Sequence, residues 1–305
     1  MNELTGSPEF DDEQELSPEE LAEQAKSEEL QADLETLLRS PLVVGPDPSV
    51  VDDLLGTESE VKEREPIDEL AEQAELDSQV AQIYAKIQER APEHKVQPST
   101  QRVVDCLDMM GNPQRQYRAV HITGTNGKTS VARMVEALLR ERGLRTGRFT
   151  SPHLNSVRER ISIDGHAISP AGFIQAWEDV APFVEMVDAQ SAANGGPRMS
   201  FFEVFTVMAF AAFADAPVDV AVVEVGMGGQ WDATNVIDAD VAVLMTVAHD
   251  HEKWLGSELT DIAREKVGIL SPGATLVSAT QEPEVVAIVR EAVARNRATY
   301  VRYGD

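Results

Sequence analysis

Residues 119–143, AVHITGTNGKTSVARMVEALLRERG, carry the clearest structural signal in the sequence. Apolar and β-branched residues come first, followed by a loop that contains Gly124, Gly127 and Lys128, and then by a segment with helical periodicity. Such a loop offers free backbone N–H groups beside the positive end of a helix, an arrangement that binds phosphate. The stretch therefore predicts a strand, a phosphate-binding loop and a helix over about residues 130–142. The alternative is a helix that follows an ordinary turn containing a lysine.

This loop departs in one place from the common phosphate-loop pattern G-x-x-x-x-G-K-[ST]. The first glycine of that pattern would fall at Ile122, whereas the sequence has Gly124 and reads G-T-N-G-K-T. We expect Lys128 to add a positive charge near the phosphates, and Thr129 or Ser130 to reach a magnesium ion. The predicted nucleotide-binding residues are Gly124, Thr125, Asn126, Gly127, Lys128, Thr129 and Ser130.

Strand-like and helix-like segments alternate over the rest of the chain. Two almost continuous runs of apolar, β-branched residues, 218–226 and 239–248, are typical of strands buried on both faces of a parallel sheet. Segments 200–216, 257–270 and 282–296 have helical patterns, and a strand-like run follows the last of them. The repeated order of strand, helix and strand predicts a P-loop-type, doubly wound, mostly parallel α/β sheet.

Acidic residues are concentrated at the start of the chain. The formal net charge is −27 over 305 residues, and residues 1–80 alone contain 25 Asp and Glu against 4 Lys and Arg. We expect residues 1–76 to form a largely disordered or loosely helical acidic leader, and residues 77–305 to form the globular domain. The leader is interpreted either as a solvated tail or as a tail that binds a regulatory partner.

The composition argues against several classes of function. A chain this acidic is a poor match for nucleic acid or for an anionic membrane surface. It contains no run of about 18 apolar residues that could span a membrane, and its first residues lack the basic and apolar regions of a signal peptide. Cys106 is the only cysteine, so no intramolecular disulfide can form, which suits a reducing compartment. We expect a cytoplasmic monomer.

Polar residues follow two of the predicted strands. Glu224 lies near the end of the run 218–226, and TVAHDHEKWLG, residues 246–256, offers His249 and His251 after the next strand. The carboxyl ends of parallel strands are where α/β folds bind ligands. Oxygen ligands with one imidazole suit magnesium better than zinc, since the sequence has no second cluster of His or Cys. The alternatives are a solvated strand-end glutamate and structural roles for both histidines.

Four segments together resemble the folylpolyglutamate synthase family, in particular its bacterial bifunctional dihydrofolate synthase members. They are HITGTNGKTSVARMVEALLRERG, TSPHLNSVRERISIDG, EVGMGGQWDATNVI, and DHEKWLG with REKVGIL, and they occur in the family's order. The resemblance covers roughly residues 85–305. G-T-N-G-K-T is shared with the wider Mur ligase superfamily, so the resemblance implies a fold similar to the central domain of those ligases.

The resemblance implies an ATP-dependent ligase that joins L-glutamate to the carboxylate of a dihydropteroate or folate. The carboxylate would first take the γ-phosphate, because phosphate leaves well whereas hydroxide does not, and the glutamate amine would then attack the acyl phosphate. Magnesium would neutralise charge as one anion attacks another. Two alternatives stay open. One is another Mur-type amide ligase with a UDP-sugar peptide substrate, and the other is a nucleotide-binding module that is inactive without a second domain.

Roles for individual residues follow from the same resemblance. It implies magnesium ligands at Ser151, Glu224 and His251. It also implies that Lys266 carries a carbamate, a modification that needs a neutral amine, whereas helical periodicity alone makes Lys266 a surface residue. Phe202 is implied to stack on the pterin and is alternatively an ordinary core residue. The implied pterin-side contacts are Ser200, Phe202, Glu203, Trp231, Asp232 and Ala233.

Three features depart from the family's pattern. Gln230 stands where an arginine is common, and His249 stands where an apolar residue is usual. The family carries a second, C-terminal Rossmann-like domain, whereas this sequence ends at Asp305. We therefore expect the C-terminal ligase domain to be absent from this chain.

Overall fold

The computed structural model describes residues 66–93 and 98–303. Most of the predicted acidic leader, residues 1–65, lies outside the described residues, so its disorder stays a prediction. The first described element is helix α1 (Pro66–Gln88), which crosses the predicted boundary between residues 76 and 77. That boundary is likewise left as a prediction.

Helices and strands alternate along the rest of the described chain, with short 3-10 turns at Pro113–Arg115 and Val157–Arg160. The remaining elements are α2 (Gln101–Met109), β1 (Arg118–Thr123), α3 (Lys128–Arg140), β2 (Thr146–Phe149), β3 (Ile161–Ile163), β4 (His166–Ala167), α4 (Pro170–Ala193), α5 (Phe201–Asp215), β5 (Val220–Glu224), β6 (Val241–Leu244), α6 (Glu252–Leu255), α7 (Leu259–Val267), β7 (Thr275–Ser278), α8 (Pro283–Asn296) and β8 (Thr299–Arg302).

The described strands form one sheet in the order β4-β3-β2-β5-β1-β6-β7-β8. All neighbours from β2 to β8 in this order pair in parallel, while β3 pairs antiparallel with β2 and β4 antiparallel with β3. The predicted doubly wound, mostly parallel sheet is confirmed. Strand β1 lies inside the sheet between β5 and β6, so the loop that follows β1 opens at the carboxyl edge between two neighbouring strands.

Helix α3 begins and ends two residues earlier than predicted, at Lys128 and Arg140. The residue before the helix is Gly127, whose φ of +82° lies in the left-handed region that glycine adopts without strain. Lys128, Thr129 and Ser130 therefore form the first turn of α3. The backbone N–H groups of a first turn have no partner inside the helix. Because α3 begins at Lys128, these donors lie directly beside the loop.

Helix α5 is apolar on almost all sides because it lies between the sheet and an outer layer of helices. It packs against β2 on one side and against α1, α2 and α4 on the others. Its Phe205, Phe210 and Phe213 are fully buried, and each buried phenylalanine contributes roughly 1.5–3 kcal/mol of transfer free energy. Helix α5 thus forms the centre of the largest core.

The opposite face of the sheet is covered by α3, with Ile122, Ala132 and Val222 in its core. Strand β5 is buried along its whole length, as predicted. Strand β6 differs from the prediction, because Val241 and Val243 are only half-buried. Helix α3 packs over β1, β2 and β5, which leaves this face of β6 partly open.

Helix α4, 24 residues long, is not predicted by the patterns described above. Its start nevertheless carries local signals, since the Ser169 hydroxyl accepts a hydrogen bond from the Gly172 N–H at 3.0 Å and Pro170 takes the first helical position. Within residues 66–93 and 98–303, no helix combines the length and the apolar character needed to cross a membrane.

Candidate nucleotide and substrate site

A cavity of about 380 Å³ opens beyond the carboxyl ends of β1, β2 and β5. Lys128 reaches it from the first turn of α3, Ser151 from the loop after β2, and Glu224 from the end of β5. The third predicted magnesium ligand, His251, lines the same cavity, and so do all six predicted pterin-side residues. The topology therefore brings together side chains that lie far apart in the sequence.

The loop after β1 is fastened to the segment that follows β6. The Thr125 N–H donates to the Thr246 carbonyl oxygen at 3.0 Å. The Thr125 hydroxyl lies 3.0 Å from both the carbonyl oxygen and the N–H of Ala248. The Lys128 ammonium donates back to the Gly124 carbonyl oxygen at 3.2 Å, and so its charge is held over the loop. Asn126, Gly127 and Ser130 are exposed, and their contact with nucleotide stays a prediction.

Gly124 is required by both backbone conformation and space. Its φ is +143°, and a Cβ atom there would lie only 2.4 Å from the Cβ of Met245. The close approach of the loop to β6 is therefore possible only for glycine. This explains the shifted glycine of the motif, since Ile122 belongs to the buried strand.

Glu224 is the most deeply buried acid on the cavity wall, with 2% of its surface exposed. The Thr129 hydroxyl lies 2.8 and 2.9 Å from the two carboxylate oxygens, and the Ser151 N–H donates to one of them at 3.3 Å. Burial raises the pKa of Glu224, although these hydrogen bonds and the charge of Lys128 act in the opposite direction. The interpretation of Glu224 as a solvated strand-end residue is wrong.

The predicted magnesium ligands lie around one cavity without forming a ready-made cluster. Among the residues that the structure describes, no three His, Cys, Asp or Glu side chains are placed to hold a metal ion. His251 is 46% exposed and its Nε2 lies 3.5 Å from an Asp250 oxygen. Glu224 and the Thr129 hydroxyl, which are in contact, offer oxygen atoms of the kind that magnesium prefers. The assignment of the metal ligands stays a prediction.

Lys266 is buried, with 3% of its surface exposed, although helical periodicity makes it a surface residue. Its ammonium donates to the Gly124 carbonyl oxygen at 3.0 Å. Burial, and then the nearby charge of Lys128, lowers the pKa of Lys266 to about 8. An amine with this pKa is partly neutral near physiological pH, which is the chemical requirement for carbamate formation. The carbamate itself stays a prediction.

Glu265 is a residue that supports the site and that the sequence did not single out. Its carboxylate accepts a hydrogen bond from the Trp231 N–H at 3.1 Å, and its carbonyl oxygen accepts one from Gln230 N–H at 2.9 Å. A Cβ on Gly229 would lie 2.6 Å from that carbonyl oxygen. The glycine-rich loop after β5 is thus held tightly against α7, beside Lys266. No local pattern identifies this role of Glu265, because it depends on the packing of α7 against the loop after β5.

Asp232 and Phe202 form the pterin side of the predicted site. The Asp232 carboxylate is almost fully buried, and burial raises its pKa. The Phe202 ring lies 5.6 Å from the Phe149 ring, and a Cβ on Gly226 would approach it to 2.6 Å. Phe202 is therefore both a packed residue and part of the cavity wall, so the two interpretations of this ring are compatible.

Ser200 and Glu203 have a structural task in addition to lining the cavity. They form a reciprocal cap at the start of α5, in which the Ser200 N–H donates to Glu203 at 2.6 Å and the Glu203 N–H donates to Ser200 at 3.3 Å. Glu203 also forms an ion pair with Arg102 at 2.9 Å. Their contact with a substrate stays a prediction.

A second group that the sequence missed closes the cavity from the N-terminal side. Glu93 lines the cavity and forms an ion pair with the buried guanidinium of Arg160. Arg160 also donates to His153 Nδ1 at 2.9 Å and lies over the Phe201 ring. Burial, and then the charge of Arg160, lowers the pKa of His153. No local pattern identifies Glu93, because its role depends on the fold bringing α1 beside this loop.

A doubly wound sheet whose first strand leads through a Gly-Lys-Thr loop into a helix defines the class of P-loop-type α/β domains. No protein-family model matches the chain. The dihydrofolate synthase/folylpolyglutamate synthase of Mycobacterium tuberculosis is 51% identical over 230 residues, which are 72% of this chain and 47% of that protein.

Solved structures give the same result. The Mycobacterium tuberculosis folylpolyglutamate synthase, crystallised with ADP and AMPPCP, matches at 48% identity with a TM-score of 0.69, over 74% of this chain and 50% of that one. A folylpolyglutamate synthase complex with AMPPCP and folate matches at 36% identity with a TM-score of 0.68, over 73% and 53% of the two chains. Over about 70% of its length, this chain is homologous to proteins of the folylpolyglutamate synthase family. The chain spans about half the length of the curated relatives it matches.

Proposed function

We propose that this protein takes part in the ATP- and magnesium-dependent joining of L-glutamate to a dihydropteroate or folate carboxylate. The observation that supports this most is the set of residues that line the cavity at the carboxyl edge of the sheet. It combines a phosphate-loop lysine, Lys128, a buried acid, Glu224, and an acceptor beside an aromatic ring, Asp232 and Phe202. A phosphate-bearing ligand and a flat heterocycle can therefore meet in one place.

The triphosphate would bind at the start of α3. There Lys128 lines the cavity, and the backbone N–H groups of the first turn have no partner inside the helix. Lys128 would exchange its hydrogen bond with the Gly124 carbonyl oxygen for bonds to phosphate oxygens. Charge-assisted bonds of this kind are roughly twice as strong as neutral ones.

Magnesium, when bound beside the phosphates, supplies charge neutralisation for the attack of a carboxylate on the γ-phosphorus. Glu224 is suited to hold it, because a carboxylate is the preferred oxygen ligand and its neighbours Thr129 and Ser151 add hydroxyls. We propose His251 as a further ligand, since it lines the same cavity. A carbamate on Lys266 would add a second carboxylate-like group next to Gly124.

In the proposed reaction, a substrate carboxylate oxygen bonds to the γ-phosphorus while the bond to the ADP oxygen breaks. The glutamate amine then attacks the acyl carbon, and phosphate leaves with the oxygen it received from the carboxylate. Asp232 would accept hydrogen bonds from the pterin, with Phe202 against the ring face. We further propose that the enzyme is a monomer and is cytoplasmic; the buried, unpaired Cys106 agrees with a reducing compartment.

A substrate comparison tests this proposal. The full chain is mixed with magnesium and AMPPCP and then titrated in a calorimeter with dihydropteroate or with a UDP-muramoyl peptide precursor. We expect dihydropteroate to give heat of binding and the UDP-muramoyl compound to give none. Binding of the UDP-muramoyl compound instead would assign the site to another amide ligase of the same reaction type, and binding of nucleotide alone would reduce the function to a nucleotide-binding module.

A further inference from the structure

His121 is a polar residue in the middle of the central strand. It is fully buried on β1, where its neighbours across the sheet are Val223 of β5 and Ala242 of β6. Its Nε2 lies 2.8 Å from the hydroxyl oxygen of Thr234, and its Nδ1 has no hydrogen-bond partner among the described residues. Burying an imidazole among apolar neighbours costs free energy unless the ring is hydrogen-bonded, and the contact with Thr234 offsets part of that cost.

The bond to Thr234 leads directly to the cavity. Thr234 is itself fully buried, and its hydroxyl forms a short hydrogen bond with Oδ1 of Asp232, which lines the cavity wall. The Thr234 N–H donates to the same oxygen at 2.9 Å, and the Met227 N–H donates to Oδ2 at 2.9 Å. His121, Thr234 and Asp232 thus form a continuous chain of hydrogen bonds from the sheet to the site.

The direction of this chain follows from counting donors. Burial raises the pKa of Asp232, but its two oxygens accept hydrogen bonds from N–H and O–H donors, which act in the opposite direction and favour the carboxylate. As a carboxylate, Asp232 can only accept, so the single hydroxyl hydrogen of Thr234 points to it. The hydroxyl oxygen can then only accept from His121, which places the imidazole proton on Nε2. The reverse direction would leave an N–H at Nδ1 unpaired in the core, and an orphaned donor is rarer and less tolerable than an orphaned lone pair. Burial also keeps the ring neutral, since it lowers the pKa of His121 to about 3.

We propose that His121 and Thr234 are positioning residues that hold the Asp232 carboxylate as an oriented hydrogen-bond acceptor on the cavity wall. The ligand group recognised there is an aminated nitrogen heterocycle, whose amino and ring N–H donors a fixed carboxylate can accept. This rests on the proposed function for the identity of the heterocycle, a pterin, but the hydrogen-bond chain exists without any ligand.

Substitutions at Thr234 test the chain. Thr234→Val keeps the size of the side chain but removes the hydroxyl, whereas Thr234→Ser keeps the hydroxyl. The matched control is Thr146→Val, because Thr146 is also a fully buried threonine whose hydroxyl has no partner. Dihydropteroate and magnesium–AMPPCP are titrated separately into each folded variant, with thermal unfolding recorded in parallel.

We expect Thr234→Val to weaken dihydropteroate binding by about tenfold or more, the equivalent of one lost hydrogen bond to a charged group. Nucleotide affinity should stay within about twofold of the parent, and Thr234→Ser and Thr146→Val should bind dihydropteroate within about threefold. Equal dihydropteroate affinity in Thr234→Val and the parent would overturn the proposal. An equal loss of dihydropteroate affinity in Thr234→Val and Thr234→Ser would also overturn it.

The tautomer of His121 tests the chain of hydrogen bonds without any substrate. In nitrogen-15 NMR spectra of the parent chain, His121 should be neutral with its proton on Nε2 from about pH 5 to about pH 8. In Thr234→Val, the Nε2 signal should shift because its acceptor is gone. A proton on Nδ1 in the parent would overturn the proposal. If dihydropteroate fails to bind the parent while the tautomer is as expected, the proposed function fails and the positioning chain stands.

Discussion

The side-chain amine of Lys266 lies 3.0 Å from the backbone carbonyl oxygen of Gly124, a residue 142 positions earlier in the chain. This hydrogen bond joins the end of α7 to the loop between β1 and α3. The Lys128 ammonium donates to the same carbonyl oxygen at 3.2 Å. Two cationic groups therefore converge on one carbonyl at the loop, and their repulsion is reduced when the buried amine of Lys266 is neutral.

A charged amine at position 266 should destabilise the fold in a pH-dependent way. The pKa of Lys266 is about 8 in the folded state against 10.5 for a free lysine. Since the folded pKa is the lower one, the fold bears the cost of the buried charge below about pH 8 and is relieved of it as pH rises towards about 10.5, by up to about 3 kcal/mol.

Urea unfolding in buffer free of carbon dioxide measures this effect. We expect the stability of Lys266→Met relative to the parent to be greatest near neutral pH and to fall as pH rises through this range. Lys253→Met, at an exposed lysine, serves as the control and should show a constant difference. A constant difference for Lys266→Met as well would mean that the amine is not buried as described.

Gly124→Ala should be more damaging than Gly195→Ala, a substitution at another glycine with positive φ. The new Cβ would lie 2.4 Å from Met245 Cβ in addition to the strained backbone. Gly195, with φ +72° and open space around it, isolates the cost of conformation alone. We expect about 1 kcal/mol of lost stability for Gly195→Ala and at least about 2–3 kcal/mol for Gly124→Ala, measured by chemical denaturation. Similar losses for both variants would refute the close packing of this loop on Met245.

Lys128→Ala should lose nucleotide affinity while keeping the fold. Removing charge-assisted hydrogen bonds to phosphate weakens binding by about 10- to 100-fold. Arg133→Ala on the same helix removes an equal charge from an exposed position and is the matched control. Calorimetry with magnesium–AMPPCP compares the two variants. Equal affinity in both would remove Lys128 from the site.

Glu224→Gln should weaken the magnesium dependence of nucleotide binding. Because burial raises the pKa of Glu224, protons should begin to compete with magnesium at a higher pH than for an ordinary glutamate. Magnesium affinity of the parent with AMPPCP bound should therefore fall as pH falls through that raised pKa, and Glu224→Gln should show little such dependence. Glu258→Gln, at an exposed glutamate, should behave like the parent. An unchanged pH profile in Glu224→Gln would assign this acid to structure.

The order of elements was predictable because each strand and helix carries its own periodicity. Strand β5, the loop at Gly124 and the helices Phe201–Asp215 and Pro283–Asn296 lie where the patterns place them. The start of α3 was placed too late, because the left-handed conformation of Gly127 allows the helix to begin at the next residue. Such a conformation is a property of the loop, and local composition does not specify it.

The remaining differences come from tertiary structure. Lys266 has the sequence surroundings of a surface lysine, and only the packing of α7 against the phosphate loop buries it. Glu93 and Glu265 gain their roles from segments that meet across the cavity edge. His121 lies in an apolar strand, and its link to Thr234 depends on the course of the loop after β5. Contacts over such separations are set by topology and leave no local signature.

The transfer of oxygen from the substrate carboxylate to phosphate shows whether the reaction passes through an acyl phosphate. The protein is incubated with ATP, magnesium, L-glutamate and a dihydropteroate whose carboxylate is labelled with heavy oxygen, and the released phosphate is analysed by mass spectrometry. An acyl phosphate requires one labelled oxygen to appear in each phosphate formed together with the amide. Amide formation with unlabelled phosphate, or phosphate release that does not depend on dihydropteroate, would contradict the proposed reaction.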